Sequence, residues 1–255
     1  LKPDGSPDNS FGMGNGRYLY CQAACSDVIS VARIVYDAPR NRLVIGGDYT
    51  ENVNNTDWFI ITIDVATATY SSYIYPIDFG GASGYQLAYM KSVAVQPDGK
   101  ILASGWAIIE SLAVRPVVLR LKQDGFSEDT AFGNTFGRGL YQGGFDNVVY
   151  NDVGVDSRGR IIVAGDSGSP GLGLVQRLTP TGASDTSFNS GSSQAIYAAP
   201  VSSSPAYSTT FKRLFLDGGR PVLAGESPYS TSANTDYDLV ITRLQTDLIF
   251  ANGFE

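Results

Sequence analysis

The sequence predicts an all-β protein, a β-propeller of about four four-stranded blades within one domain that covers residues 1–255. Three observations support this fold class. A unit of about 60 residues recurs four times. Each copy alternates apolar and polar residues, which is typical of a strand with one buried face. No stretch keeps apolar residues at the spacing of an amphipathic helix for long.

Each repeat opens with two strands joined by a tight turn. The four strand pairs are VARIVYDAPRNRLVIGG (31–47), KSVAVQPDGKILASG (91–105), NDVGVDSRGRIIVAG (151–165) and FKRLFLDGGRPVLAG (211–225). Their closing glycines, Gly47, Gly105, Gly165 and Gly225, are 58, 60 and 60 residues apart. A constant period over four copies indicates structural units that stack on one another.

A third and a fourth strand follow each pair. The predicted third strands are Trp58–Asp64, Val117–Lys122, Leu174–Leu178 and Leu239–Leu244. Short fourth strands are predicted at Tyr70–Ile77, Arg138–Gln142 and Gln194–Ala198. The repeats therefore span about 31–77, 91–142, 151–198 and 211–249. Such sheets bury both faces when they stack around a ring.

The fourth repeat needs a fourth strand, because its pattern stops near Leu244. Arg17–Tyr20 is predicted to supply it, which would join the two ends of the chain and remove an open sheet edge. Alternatively, Leu1–Gly12 is the stump of an upstream repeat. The ring would then have five or more blades, or would close between chains. We also expect a processed or trimmed form, because the sequence begins inside a repeat-like fragment.

Several segments carry a family resemblance. They are SVAVQPDGKILASG (92–105), GVDSRGRIIVAG (154–165), LRLKQDGFSEDTAFG (119–133), QRLTPTGASDTSF (176–188) and LKPDGSPDNSFG (1–12). Together they resemble the bacterial delta-60 repeat, and they are also similar to NHL repeats. Asp37–Asn41 departs from the family's turn, and Pro221 is expected to interrupt a strand. The resemblance implies a secreted or surface protein of bacteria, mostly without an assigned reaction. The ending LIFANGFE (248–255) is similar to tails of exported proteins, and it also fits the end of a last repeat.

Composition excludes several functions. The net charge is −7 and no basic cluster occurs, so nucleic-acid binding is not expected. No apolar run is long enough to cross a membrane. The chain contains no histidine, which excludes a Ser-His-Asp triad, a Cys-His pair and histidine-bound metals. We therefore expect no cofactor. Cys21 and Cys25 are predicted to form a disulfide in an oxidising compartment, with two buried free thiols as the alternative.

One residue follows each closing glycine, and in a propeller these four positions share a rim around the axis. They are Asp48, Trp106, Asp166 and Glu226. Three acids and one tryptophan predict a site for a cation, or for a sugar that stacks on Trp106. Alternatively, these side chains cap the loops and face solvent.

Three weaker patterns add candidates. The turn cations Arg42, Lys100, Arg160 and Arg220 lie near the acids Asp37, Asp98, Asp156 and Asp217, which predicts local charge pairing. The segment 48–57 is rich in oxygen ligands, so calcium is possible there, although its spacing matches no known calcium loop. Tyrosines cluster at 70–75, 85–89 and 197–207, where they could contact a carbohydrate or protein, or pack between blades.

Three functions remain open from the sequence. The first is a non-catalytic binding or structural module outside the bacterial cell, favoured by the repeats and the lack of catalytic signatures. The second is a carboxylate-dependent hydrolase or lyase that acts on a polysaccharide, which needs two suitably spaced acids. The third is a subunit of an extracellular assembly that shares Arg17–Tyr20 with a neighbour.

Overall fold

A computed structural model of the protein describes residues 1–12, 14–17, 28–52, 54–75, 86–108, 113–134, 139–144, 147–168, 171–197, 209–230 and 235–244. Within these ranges the chain forms fifteen β-strands and one short 3-10 turn at Ala38–Arg40, without an α-helix. The prediction of an all-β fold is therefore confirmed.

The strands form four antiparallel meanders, which we call blades 1 to 4. Blade 1 consists of β1 (Val28–Asp37), β2 (Arg42–Asn52), β3 (Asn55–Asp64) and β4 (Tyr70–Tyr75). Blade 2 consists of β5 (Gln86–Val95), β6 (Ile101–Ile108), β7 (Val114–Leu121) and β8 (Leu140–Gln142). A short parallel pairing between β3 and β5 links these two blades.

Blades 3 and 4 repeat the same order. Blade 3 consists of β9 (Val148–Val155), β10 (Ile161–Ser167), β11 (Leu172–Leu178) and β12 (Gln194–Tyr197). Blade 4 consists of β13 (Thr210–Asp217), β14 (Arg220–Ser230) and β15 (Thr235–Arg243). Among the described residues, blade 4 therefore has three strands where the other blades have four.

Some expectations change in the structure. Pro221 does not interrupt its strand, because it pairs with Leu216 near the start of β14 and its carbonyl accepts a hydrogen bond from Leu244. Segment 48–57 is not an open loop, since most of it belongs to the β2–β3 hairpin. Arg17 forms an isolated β-bridge with Gly12, which lies in the same N-terminal segment. Tyr18–Tyr20, Cys21 and Cys25 lie outside the described residues, so the closing strand and the disulfide stay predictions.

The blades pack face to face in chain order, and the first strand of each blade lies innermost. One apolar cluster fills each interface. The 1–2 interface includes Trp58, Ile60, Met90 and Val93. The 2–3 interface includes Val118, Phe132, Tyr150 and Val153, and the 3–4 interface includes Val175, Phe188, Phe211 and Leu214. Each cluster thus joins the third strand of one blade to the first strand of the next.

Two apolar faces lack such a neighbour among the described residues, and we call them together the open side. On blade 1, Val31 and Ile34 are 62% and 55% exposed. On blade 4, Leu239 and Ile241 are 75% and 65% exposed. These are the two faces that would meet if blade 4 packed against blade 1. Among the residues that the structure describes, the sheets do not close into a full ring.

Candidate functional site: an axial cavity

Each first strand contains a β-bulge at the same repeat position. The pairing with the second strand shifts between Val31 and Arg33 in β1, with equivalent shifts in β5, β9 and β13. A bulge adds one residue to a strand and turns its side chain out of the regular alternation. The four bulge residues are Ala32, Lys91, Asn151 and Lys212. All four line one cavity of about 330 Å³.

The cavity lies where the four blades converge. Besides the bulge residues, its walls include Ser30 and Asp48 from blade 1, Met90 from blade 2 and Arg213 from blade 4. A cavity that takes one equivalent residue from every blade must lie along the common axis of the repeat. This is the axial cavity.

A hydrogen-bond network next to the axial cavity holds the first strands together. The residue after each bulge is Arg33, Ser92, Asp152 or Arg213. Asp152 is completely buried. Its carboxylate accepts hydrogen bonds from the Arg33 guanidinium, from Ser92 Oγ at 2.6 Å and from the Leu214 backbone N–H at 2.8 Å. One carboxylate of blade 3 therefore binds all three other blades, which fixes the position of the cavity walls.

The axial cavity is predominantly cationic. Lys91, Lys212 and Arg213 contribute three positive charges to its walls, and Asp48 contributes a carboxylate. Asp48 is 8% exposed and accepts a hydrogen bond from the Met90 N–H at 2.5 Å. Burial raises the pKa of Asp48 to about 6, although the Met90 hydrogen bond and the Lys91 charge oppose the rise. Near neutral pH, this carboxyl is thus close to its titration range.

The four residues predicted from the closing glycines surround this cavity to different extents. Asp48 lines it directly. Asp166 accepts a hydrogen bond from Asn151 Nδ2 at 3.1 Å, and burial raises the pKa of Asp166. Glu226 lies 3.0 Å from Lys212 Nζ. Each of the latter two acids therefore contacts a bulge residue instead of opening into the cavity.

Trp106 occupies a different environment from the three acids. It is absent from the residues that line the described cavity. Its ring lies against Tyr89, with 4.7 Å between the ring centres. Lys91 Nζ lies 5.9 Å from the centre of the same Tyr89 ring. An aromatic pair thus adjoins the cationic wall.

The bulge residues were missed at the sequence level, although a signal exists. In a strand with one buried face, polar side chains alternate with apolar ones. Adjacent polar pairs break this alternation at Lys91-Ser92, Asn151-Asp152 and Lys212-Arg213. Two neighbouring polar residues in an inner strand would have indicated a bulge that turns one of them to the axis.

The predicted charge pairs in the turns are confirmed. The cation–acid distances are 2.9 Å for Arg42–Asp37, 3.4 Å for Lys100–Asp98, 2.6 Å for Arg160–Asp156 and 3.1 Å for Arg220–Asp217. These cations are thus engaged in local pairs with the carboxylates of their own turns.

No metal centre is found in the part of the chain that the structure describes. There, no three potential metal-binding side chains among Cys, Asp and Glu come together. In the hairpin proposed for calcium, Glu51 accepts a hydrogen bond from Asn55 and Asn52 accepts one from Asn54. Calcium binding stays a prediction. The described residues also include no helix that is long and apolar enough to span a membrane.

Comparisons with known proteins support the fold. A family model described as "Domain of unknown function (DUF5122) beta-propeller" matches residues 96–127 and 159–188. This match supports a β-propeller family. No curated protein matches the chain. The structure of Drosophila semaphorin 1b extracellular domains 1–2 is similar at 12% identity over 85% of this chain and 52% of that chain, with a TM-score of 0.34. The chain spans about half the length of that structure, and this similarity is too low to support an inference.

Proposed function

We propose that the protein is a four-bladed propeller of the delta-60 type, secreted or displayed on a bacterial surface, and that it is a non-catalytic binding module. The observation that carries this proposal is the axial cavity, to which the same bulge position of every blade contributes one residue. A rigid ring with variable residues around one concave site suits recognition.

We infer that the ligand is a carbohydrate with a carboxylate group. Lys91 and Arg213 concentrate positive charge in a protein of net charge −7, and Lys212, which pairs with Glu226, adds a third cation. A carboxylate would be attracted to this wall and would find hydrogen-bond donors there. The Tyr89–Trp106 pair offers an apolar ring face beside Lys91, on which a sugar ring can stack. The cavity volume of about 330 Å³ lies in the range of small-ligand sites.

Calorimetric titration tests this function with a glucuronic-acid trisaccharide and its neutral glucose counterpart. We expect binding of the acidic sugar only, and at least about tenfold weaker binding in Lys91→Gln and in Arg213→Gln, because each loses a charge-assisted hydrogen bond. Lys122→Gln is the control, since Lys122 is an exposed cation outside the cavity lining. Absence of binding, or equal binding of both sugars, contradicts the proposal.

A second candidate is a carboxylate-dependent hydrolase or lyase. It is favoured by the raised pKa of Asp48, because such a carboxyl can hold or release a proton near neutral pH. Mass spectrometry of the same trisaccharide after incubation with the protein distinguishes the two functions. Products that vanish with Asp48→Asn would establish catalysis, whereas an intact sugar supports the binding module.

A third candidate is a subunit of an extracellular assembly. It is favoured by the apolar residues of the open side, because exposed faces of this kind can pack between chains. Light scattering coupled to size-exclusion chromatography gives the mass in solution. A mass of one chain supports the self-contained module, and a mass that grows with concentration supports assembly.

A further inference from the structure

In blades 2 and 3 one arginine holds the segment that leads to the fourth strand, and we call this arrangement the arginine clamp. In blade 3, Arg177 Nε donates to Asp185 Oδ2 at 2.7 Å, and its guanidinium lies 4.9 Å from the Phe188 ring centre. In blade 2, Arg120 lies 2.9 Å from Asp129 Oδ2 and 4.4 Å from the Phe132 ring centre.

The clamp phenylalanines also serve the interfaces. Phe132 is 2% exposed and belongs to the 2–3 cluster, and Phe188 is 3% exposed and belongs to the 3–4 cluster. Each clamp therefore wedges an aromatic ring between its own blade and the next one.

Among the described residues, the arginine at the clamp position of blade 4, Arg243, has no clamp acid and no clamp ring beside it. Arg243 pairs with Val222, as Arg177 pairs with Ile162 and Arg120 with Leu102. Its side chain is 58% exposed, and Nη1 lies 3.7 Å from Asp217. Eight residues after Arg177 comes Asp185, whereas eight residues after Arg243 comes Ala251. The chain after β15 thus lacks the acid at that position.

Residues 1–12 contain an acid and a phenylalanine at the spacing of the blade 3 clamp, which is one residue shorter than that of blade 2. Seven and ten residues separate Leu178 from Asp185 and Phe188. The same numbers separate Leu1 from Asp8 and Phe11. The start of the fourth strand agrees as well, since Gln194 follows Phe188 by six residues and Arg17 follows Phe11 by six.

Residues 1–12 already have the local conformation of a clamp segment. The Lys2 N–H donates to Ser6, and the Phe11 N–H donates to the Asp8 carbonyl at 3.0 Å. The corresponding bonds in blade 3 run from Thr179 to Ala183 and from Phe188 to Asp185. Gly5 and Gly182, which occupy the same turn position, have φ values of 83° and 85°.

Asp8 accepts the same local hydrogen bonds as the clamp acid Asp185. Ser10 donates to Asp8 Oδ1 through its N–H at 3.0 Å and its Oγ at 2.6 Å. Ser187 binds Asp185 Oδ1 through the same two groups at 3.1 Å and 2.6 Å. These hydrogen bonds lower the pKa of Asp8, so that its carboxylate is charged. In blade 3 the other oxygen, Oδ2, is the one that binds the arginine.

We propose that residues 1–17 of the same chain dock on blade 4 and complete it. Asp8 pairs with Arg243, and Phe11 packs against Ile241 on the open side. Arg17 pairs with Thr242 of β15, in the register that joins Gln194 to Gln176 in blade 3. Ile241 is 65% exposed in the structure, whereas the equivalent Val118 and Val175 are 0% and 2% exposed. Docking of residues 1–17 would cover Ile241, as the clamp segments of blades 2 and 3 cover these valines.

A charge exchange tests the ion pair in the full chain. Asp8→Arg and Arg243→Asp should each lower the melting temperature by about 3–6 °C, and the double variant should recover at least half of the loss, because the pair is restored in reverse. The control combines Asp4→Arg with Arg243→Asp, since Asp4 belongs to the same segment but binds Ser6. Absence of recovery in the first pair, or equal recovery in the control pair, overturns the proposal.

A cross-link tests the strand register and the origin of the segment. In the variant Arg17→Cys with Thr242→Cys, mild oxidation should join the two new cysteines within one chain, as identified by mass spectrometry of unreduced peptides. Ser6→Cys with Thr242→Cys is the control and should not cross-link. A cross-linked dimer would show that a second copy supplies the segment, and no cross-link would show that it docks elsewhere. Both results overturn intrachain docking, and neither affects the sugar titration.

Discussion

The 3–4 interface and the open side contain equivalent residues in opposite environments. Phe211 and Leu214 of β13 face blade 3 and are 0% and 8% exposed. Val31 and Ile34 occupy the same positions in β1, where they are 62% and 55% exposed. The strands pair in the same register in both places. The difference in exposure therefore depends on whether a neighbouring blade covers the residues, and not on the strand that contains them.

This comparison separates two steps of folding. An alternating pattern forms a sheet with two apolar faces, and this step is local to the repeat. Burial of those faces requires a second sheet at the correct distance, which only stacking provides. The open side is thus where an additional element has the most apolar surface to cover.

The largest expected effect concerns Asp152, which links β13 of blade 4 to β1 of blade 1 near the axis. Asp152→Ala should lower the free energy of unfolding by about 3–5 kcal/mol, because it leaves the buried Leu214 N–H without its acceptor and removes the carboxylate that binds Arg33 and Ser92. Urea denaturation measures the loss. Asp98→Ala, in a turn, should change stability by less than about 0.5 kcal/mol. A loss below about 1 kcal/mol in Asp152→Ala would show that the network does not hold the blades together.

The next effect compares equivalent apolar residues directly. Leu214→Ala should cost about 3 kcal/mol, because it opens a cavity in the 3–4 interface. Ile34→Ala should cost less than about 1 kcal/mol, because more than half of that side chain is exposed. Both values come from urea denaturation. A cost above about 2 kcal/mol for Ile34→Ala would mean that blade 4 covers this face in solution.

A smaller effect depends on pH. The folded-state pKa of Asp48 is about 6, above its usual 3.8, so the folded protein holds this proton more tightly than the unfolded chain between these values. The stabilising effect of the proton is complete below about pH 4 and is lost as the pH rises through 6. Asp48→Asn should therefore stabilise the protein by about 2 kcal/mol at pH 7.5 and change little at pH 4.

Asp185 provides the control for this titration, because its shift has the opposite sign. Burial raises the pKa of Asp185, but the hydrogen bonds from Ser187 and Arg177 hold it below its usual value. Its contribution is present above the unfolded pKa and is lost as the pH falls through the folded value. Asp185→Asn should destabilise at pH 7.5, and thermal melts at both pH values measure the contrast. If Asp48→Asn stabilised the protein equally at both pH values, this result would contradict the raised pKa of Asp48.

The smallest effect concerns the turn pairs of blades 3 and 4. Arg160 and Asp156 are 14% and 2% exposed, whereas Arg220 and Asp217 are 43% and 46% exposed. Arg160→Gln should cost about 1 kcal/mol and Arg220→Gln less than about 0.5 kcal/mol, because water weakens the exposed pair. Thermal melts at low and high salt check both values. Equal losses of stability would show that burial of the turn does not strengthen the ion pair.

Much of the fold was predictable from local patterns. The closing glycines set the period, and the turns inside the strand pairs 91–105 and 151–165 were placed correctly, although β5 begins five residues before Lys91 and β9 begins three residues before Asn151. The turn cations and their acids were also predictable, because each pair lies within a few residues of sequence. The axial cavity was not predicted. The polar pairs at Lys91-Ser92 and Lys212-Arg213 can indicate a bulge in each strand, but the meeting of the four bulges depends on contacts between blades.

The sequence by itself determined the repeat, its strands and the charged turns, because these depend on alternation and on contacts between near neighbours. The tertiary structure decided which faces are buried, which residues meet at the axis and which arginines find a carboxylate. Arg177 and Arg243 follow the same strand pattern, yet Arg177 contacts Asp185 and Phe188, whereas Arg243, in the part of the chain that the structure describes, lies 3.7 Å from Asp217 instead. The physical reason is that convergence at an axis and packing of one sheet on another depend on distances between repeats, which no single repeat encodes.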